Sequence, residues 1–278
     1  MFVYYNDKII ELNQVVVSPF DRGFQFGDGV YEVIRYYPNM FFMFEKHIRR
    51  LKYSLREIEI EEPDLTLLEN ILFELINKNG LSNEPSIAYL QITRGLQFPR
   101  RHVPGTNLAP TFFIYVESLP IKEKEMHTGV KAGLEEDIRW HRCDIKTISL
   151  IPNILSKNKA TANGLHEIIW HRNGVITEGT QTNVFCVKGN KLFTHPLNTN
   201  ILAGITREVI IELCESLSMV CIEQEIKVEE LKNADEIFLA STTSEIMPVV
   251  NVDGKTISNG MPGLITKLLQ THFSKLYQ

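Results

Sequence analysis

A lysine and a glutamate carry the strongest chemical signal in this chain. Lys146 lies in Arg139-Trp140-His141-Arg142-Cys143-Asp144-Ile145-Lys146-Thr147. Glu178 follows Val175-Ile176-Thr177 and precedes Gly179-Thr180-Gln181-Thr182-Asn183. A buried amine can condense with a carbonyl, and a buried carboxylate can keep a pyridine nitrogen protonated. Those are the two demands that pyridoxal phosphate makes on a protein. Spacing alone also allows a plain buried ion pair, so the weight falls on the other parts of such a site.

A phosphate calls for backbone N–H donors and positive charge, commonly at a helix N-terminus. Leu202-Ala203-Gly204-Ile205-Thr206-Arg207 leads into a helical pattern with apolar Val209, Ile210 and Leu213. Gly204 permits close backbone approach and Thr206 offers a hydroxyl, although an ordinary N-cap is the commoner use of such a run. Ser241-Thr242-Thr243-Ser244 follows the strand-like Glu236–Ala240. Its hydroxyls suit an anion, and a Ser/Thr-rich turn is the cheaper account. Arg50 could supply charge, but it lies off the Ile48/Leu51/Leu55 stripe, and periodicity makes it a solvated arginine by default. Arg100 and His102 sit in a loop stiffened by Pro99 and Pro104. Arginine's planar fork matches a substrate carboxylate, while a basic surface loop is the plainer alternative. Cys143 near His141 raises a thiol nucleophile without any oxyanion signature. The eight histidines show no tight ligand spacing, which argues against a metal site.

These residues must be positioned by elements that the pattern outlines. Strand-like Phe2–Tyr5 and Lys8–Glu11 flank Asn6-Asp7, and Gly29–Tyr37 and Met40–Phe44 flank Pro38-Asn39, both hairpin signals. A helical stripe covers Glu45–Glu57, and Asp64 can cap a second helix that stops at Gly80. Strand-like Ile87–Thr93 and Thr111–Val116 follow. Glu117–Met126 is the best linker, giving domains of 1–119 and 120–278, the second carrying Lys146. Beyond it come strand-like runs at Val130–Leu134, His166–His171, Val175–Thr177, Asn183–Val187 and Lys191–Thr194. Helices are expected at Asn153–Ala162, Arg207–Leu217 and Pro262–Leu276. The mixture lacks steady βαβ alternation, so the expected class is α+β in two domains.

Bulk properties narrow the function further. A chain of 278 residues is at the size, about 250–300 residues, beyond which single cores seldom grow, so two domains are expected. The net charge of −5 has no basic block, which argues against nucleic acid. The longest apolar run, Met40 to Phe44, is far below the roughly 20 residues needed to span a bilayer. The start has no signal-type segment, and four cysteines without CxxC spacing read as free thiols in a reducing cytoplasm.

Five ordered motifs resemble the fold-type IV pyridoxal-phosphate enzymes. They are Asp21-Arg22-Gly23-Phe24-Gln25-Phe26-Gly27-Asp28-Gly29-Val30-Tyr31-Glu32, Cys143-Asp144-Ile145-Lys146, Thr177-Glu178-Gly179, Gly204-Ile205-Thr206 and Ser241-Thr242-Thr243-Ser244-Glu245. Within that group, Val30-Tyr31-Glu32, the Arg100-Arg101-His102 loop, and Glu136-Asp137-Ile138-Arg139-Trp140 running into Cys143-Asp144-Ile145-Lys146 point to the D-amino acid transaminases. The resemblance implies a two-domain fold with the cofactor site between the domains, and a ping-pong transamination of D-amino acids with 2-oxo acids. It implies a Schiff base on Lys146, Glu178 on the pyridine nitrogen, and Arg50, Ile205, Thr206, Ser241 and Thr242 around the phosphate. It further implies Tyr31, Arg100 and His102 on the substrate carboxylate, with the Arg100 loop lent by the neighbouring subunit of a homodimer. Branched-chain L-aminotransferases and aminodeoxychorismate lyases share the cofactor core and stay open as alternatives. A non-catalytic carrier is disfavoured by Lys146 and Glu178 together. One departure stands out: Thr180-Gln181-Thr182 replaces the family's frequent serine run.

Overall fold

The computed structural model describes residues 1–278 and resolves into two compact units. One comprises Met1–Pro120 with Ile145–Ser149, the other Ile121–Asp144 with Leu150–Gln278. Lys146, expected in the C-terminal domain, therefore belongs to the first unit. The reason is local: the Tyr31 N–H donates to the Lys146 carbonyl at 3.0 Å, the Ile148 N–H donates to the Gly29 carbonyl at 3.1 Å, and Ile145 enters the first unit's core.

The first unit contains β1 (Phe2–Tyr5), β2 (Lys8–Glu11), α1 (Arg22–Phe26), β3 (Gly29–Tyr37), β4 (Met40–Phe41), α2 (Phe44–Glu57), α3 (Leu68–Lys78), β5 (Ser86–Thr93) and β6 (Thr111–Ser118). Its sheet runs β2-β1-β6-β5-β3-β4, antiparallel throughout. The β1–β2 turn holds Asn6 and Asp7 at φ of 43° and 66°, a left-handed pair that a two-residue hairpin requires. Alternation sorts the sheet faces. Val30, Ile34, Ala88, Leu90, Ile92, Phe112 and Ile114 join the core together with Leu51 and Leu55 of α2 and Leu72 and Leu75 of α3. Each fully buried leucine contributes roughly 1.5–3 kcal/mol by leaving water. On the other face Tyr31, Tyr89 and Tyr115 stack in sequence, with ring centroids 5.7 and 5.1 Å apart.

Two local expectations shift. Asp64 accepts from the Thr66 N–H and hydroxyl, making a turn before the helix, and α3 starts at Leu68. The expected linker shrinks from both sides, since β6 runs on to Ser118 and a helix begins at Glu123.

The second unit contains α4 (Glu123–Thr128), β7 (Val130–Glu136), α5 (Ile151–Ala162), β8 (Glu167–Arg172), β9 (Val175–Gly179), β10 (Asn183–Lys188), β11 (Lys191–Thr194), α6 (Ile205–Ser216), β12 (Cys221–Glu223), α7 (Val228–Lys232), β13 (Glu236–Ser241), β14 (Glu245–Val252), β15 (Lys255–Thr256) and α8 (Leu264–Ser274). The mixed sheet follows β12-β11-β10-β13-β14-β7-β8-β9, with β15 on β14. The β7–β8 and β7–β14 pairs are parallel and most others antiparallel, so the class is α+β. Glu178 sits near the end of β9. Ile205 and Thr206 open α6, and Ser241 closes β13.

Candidate active site

In the first unit Lys146 is half-buried, more open than expected for a catalytic amine. Its Nζ lies 4.2 Å from the centroid of the Tyr31 ring and makes no ion pair. Its backbone N–H donates to Ser54 Oγ at 3.1 Å. Ser54 belongs to a polar stripe on α2, His47-Arg50-Ser54, that is buried beside the apolar stripe of Ile48, Leu51 and Leu55. The default of a solvated Arg50 is thus overturned, and Glu32 is the cause. That residue stands on the core face of β3, in register with Val30 and Ile34, where no charge can stay alone. Arg50 donates to it from Nε at 2.7 Å and Nη2 at 2.9 Å, and His47 Nδ1 lies 2.9 Å from Oε2. Burial favours the neutral acid, but Arg50 and His47 outweigh it and hold Glu32 well below the usual carboxylate range. Burial pushes His47 down, so the imidazole is neutral near pH 7.

Arg100 and His102 lie in the same unit as Tyr31 and form no hydrogen bond or ring contact with it. Both are exposed, and both flank Phe26: the Arg100 guanidinium carbon is 4.1 Å from the ring centroid and the His102 ring 5.5 Å.

In the second unit Glu178 is buried on a frame of donors. Oε1 accepts from Arg139 Nη1 at 2.6 Å, and Oε2 accepts from Asn183 Nδ2 at 3.1 Å and from the Leu202 N–H at 3.0 Å. A carboxylate offers about four acceptor positions, so one remains, on Oε1. Arg139 is in turn clamped by Asp137, through Nε at 2.9 Å and Nη2 at 2.8 Å, and lies 4.3 Å from the Trp170 ring centroid. Burial raises the Glu178 pKa, and Arg139 opposes that rise without cancelling it. Asn183 then abuts Gly204, where a Cβ would stand 1.9 Å from Asn183 Oδ1. Only glycine fits there.

Gly204 is the N-cap of α6 and brings no side-chain cap, so the first-turn N–H groups at Ile205 and Thr206 face outward from the helix end without one. Thr206 is the second helical residue rather than the cap, and it is buried. In the β13–β14 turn Ser241 Oγ accepts the Ser244 N–H at 3.1 Å, so Ser241 at least also builds the turn. The departure at 180–182 has a structural reason. Thr180 and Thr182 are buried with their hydroxyls on Glu167, and Gln181 points away and is exposed. The thiol-nucleophile idea fails, since burial pushes Cys143 up to about 11 and its Sγ donates to the Trp140 carbonyl.

The sequence assigns no role to Glu32, His47, Asp137, Arg139, Asn183 or the Leu202 N–H, although Glu32, Asp137 and Arg139 stand in motifs that carry the resemblance. Glu32 did carry a signal, a charge at a core-facing position of an alternating strand. His47, Asn183 and the Leu202 N–H carried none that spacing exposes.

Residues 29–252 match the family described as amino-transferase class IV. The chain belongs to the class IV aminotransferases. Among its curated relatives, the D-alanine aminotransferase of Bacillus licheniformis is 43% identical over 275 residues, covering 98% of this chain and 95% of the relative. That of Listeria innocua is 40% identical over 276 residues, covering 98% and 95%. The branched-chain amino acid aminotransferase of Escherichia coli has the same fold, with a TM-score of 0.92 at 25% identity, covering 100% of this chain and 94% of the other. Class IV aminotransferases use pyridoxal phosphate. The residues of this chain fit that group: an amine free of ion pairs, a carboxylate with an acceptor position left, and an uncapped helix N-terminus.

Proposed function

We propose that this aminotransferase moves the amino group of D-amino acids, of the D-alanine and D-glutamate type, to 2-oxo acids in two half-reactions. One observation carries the activity: Lys146 Nζ, held against Tyr31, has no carboxylate to neutralise it and is available for covalent work. The preference for the D series rests on the relatives named D-alanine aminotransferase.

Bound pyridoxal phosphate supplies the carbonyl that takes up an amine and the electron sink for charge left at the substrate α-carbon. Lys146 Nζ is the amine that would hold the group covalently, and as a free amine it would move the substrate α-proton. Glu178 would accept the ring N–H at its remaining acceptor position. The Ile205 and Thr206 N–H groups, the Ser241 and Thr242 hydroxyls and Arg50 would hold the phosphate. Tyr31, Arg100 and His102 orient the substrate carboxylate. The exposure of Arg100 and His102, neither of which contacts Tyr31 through a hydrogen bond or ring within one chain, supports a homodimer in which the neighbouring subunit lends that loop. No helix is long and apolar enough to cross a membrane. We place the enzyme in the cytoplasm, acting on small amino and 2-oxo acids. Residues 1–119 and 120–278 are its two domains, apart from the returning segment at Lys146.

A branched-chain L-aminotransferase is the second reading, favoured by the fold shared with the Escherichia coli enzyme. Purified protein with pyridoxal phosphate and D-alanine or L-leucine, each with and without 2-oxoglutarate, separates the two. Acceptor-dependent turnover of D-alanine is expected, and faster turnover of L-leucine would install the second reading. Lys146→Ala is expected to abolish turnover and the visible absorption of lysine-bound cofactor; retained transamination would sink the assignment.

A further inference from the structure

Arg22 has no part in the proposed chemistry, yet it is 5% exposed and bound on every side. Its Nε donates to Asp28 Oδ2 at 2.7 Å. Its Nη1 donates to Gln97 Oε1 at 3.1 Å and to the Arg101 carbonyl at 2.7 Å, and Nη2 donates to the His102 carbonyl at 3.0 Å. Its guanidinium carbon is 4.8 Å from the centroid of Phe26, the ring that Arg100 and His102 also flank. Gln97 extends the grip, accepting the Gly105 N–H at 3.2 Å while Nε2 donates to the Val103 carbonyl at 3.3 Å.

The base of this clamp is itself fixed. Asp21 caps α1 through the Gly23 N–H at 2.7 Å and accepts the Thr93 and Thr111 hydroxyls at 2.9 and 2.6 Å. A Cβ at Gly23 would come within 2.3 Å of Thr93 Cγ2, so α1 lies directly on the end of β5. Asp28 is held from its other side by Arg94, through Nε at 2.8 Å and Nη2 at 3.0 Å. A rigid fork with five donors can reach two successive carbonyls, a side-chain amide and a carboxylate at once; an ammonium cannot.

We propose that Arg22 is the positioning residue of the substrate-carboxylate loop. By holding the carbonyls of Arg101 and His102 it sets the backbone from which the Arg100 and His102 side chains project. An exposed loop ordered before binding does not have to be ordered by the substrate, so the gain appears in substrate affinity. The inference rests on the reading of Arg100 and His102 as carboxylate ligands, and the test keeps the two apart.

The full-length enzyme loaded with pyridoxal phosphate is compared with Arg22→Met, Arg22→Lys, Gln97→Leu and Arg100→Ala. The first readout is trypsin cleavage after Arg100 and Arg101, which needs neither activity nor substrate. Cleavage is expected to quicken about tenfold in Arg22→Met and by a smaller factor in Gln97→Leu. The second is the split between KM for D-alanine and kcat. Arg22→Met is expected to raise KM about tenfold with kcat within about twofold, and Arg22→Lys to recover part of that loss. Should Arg22→Met fail to fold, Gln97→Leu decides, with a KM raised about threefold. Wild-type KM in Arg22→Met and Gln97→Leu, beside a raised KM in Arg100→Ala, would overturn the role of Arg22. An unchanged KM in Arg100→Ala would overturn the carboxylate reading itself, while the trypsin result still reports the clamp.

Discussion

Glu32, in the first unit, faces Arg50 and His47, whereas Glu178, in the second, shares Arg139 with Asp137. Both carboxylates are buried, and for both burial is the largest influence, working to raise the pKa. At Glu32 the partners win and the acid is held well down. At Glu178 they do not, and the pKa stays above its ordinary value. Asp137 shows where the difference goes: with Arg139 and Arg172 on it, that carboxyl is held low despite burial. The lesson concerns compensation. A carboxylate with its charge fully met is a fixture that docks a helix on a sheet. One left partly unmet, with an acceptor position open, still gains by meeting a cationic N–H.

The largest expected effect comes from breaking the compensated side. Arg50→Met strands Glu32 in the core and should cost about 3–5 kcal/mol of stability, measured by urea unfolding. A loss within experimental error would show that Glu32 and Arg50 are not a working pair. The next effect is acid sensitivity. Glu32 and Asp137 have depressed folded-state pKa values, so their contribution is complete above the unfolded carboxylate value of about 4 and is lost as pH falls through the folded values. His47, also depressed, adds a loss that begins as pH drops below about 6.5, where the unfolded chain takes up a proton that the buried imidazole refuses. Stability flat from pH 7 down to pH 3 would contradict both signs. The smallest stability effect is expected at Glu178→Gln, within about 1 kcal/mol, because an under-compensated charge is removed and Arg139 keeps Asp137. Since the Glu178 pKa is raised, its ionised form costs stability above the unfolded value, and the difference between wild type and Glu178→Gln should narrow as pH falls. The same variant should retain cofactor and lose most of its activity; a wild-type rate would remove Glu178 from the ring nitrogen.

Much of this frame was legible beforehand. The hairpin at Asn6-Asp7, the α2 stripe, β3 and the α6 start at Gly204-Ile205-Thr206 follow from period, turn residues and caps, all of which act over a few positions. The Asp64 cap and the linker were misplaced because a two-residue side-chain turn and a short helix carry the same polar composition as a loop. Arg50 was misjudged because periodicity measures only apolar faces. It cannot see that a glutamate on a distant strand makes a polar stripe bury itself.

Residue types, order and spacing by themselves singled out a lysine and a glutamate, a glycine-led helix start, and an arginine–histidine loop. These are local properties, written in neighbouring side chains and backbone freedom. Tertiary structure alone decided that Lys146 folds with the first unit, that Glu32 gathers His47 and Arg50, and that Arg22 holds the loop from 75 to 80 positions away in the chain. Charge compensation and hydrogen-bond satisfaction depend on distance in space, and only the folded chain brings those partners within reach.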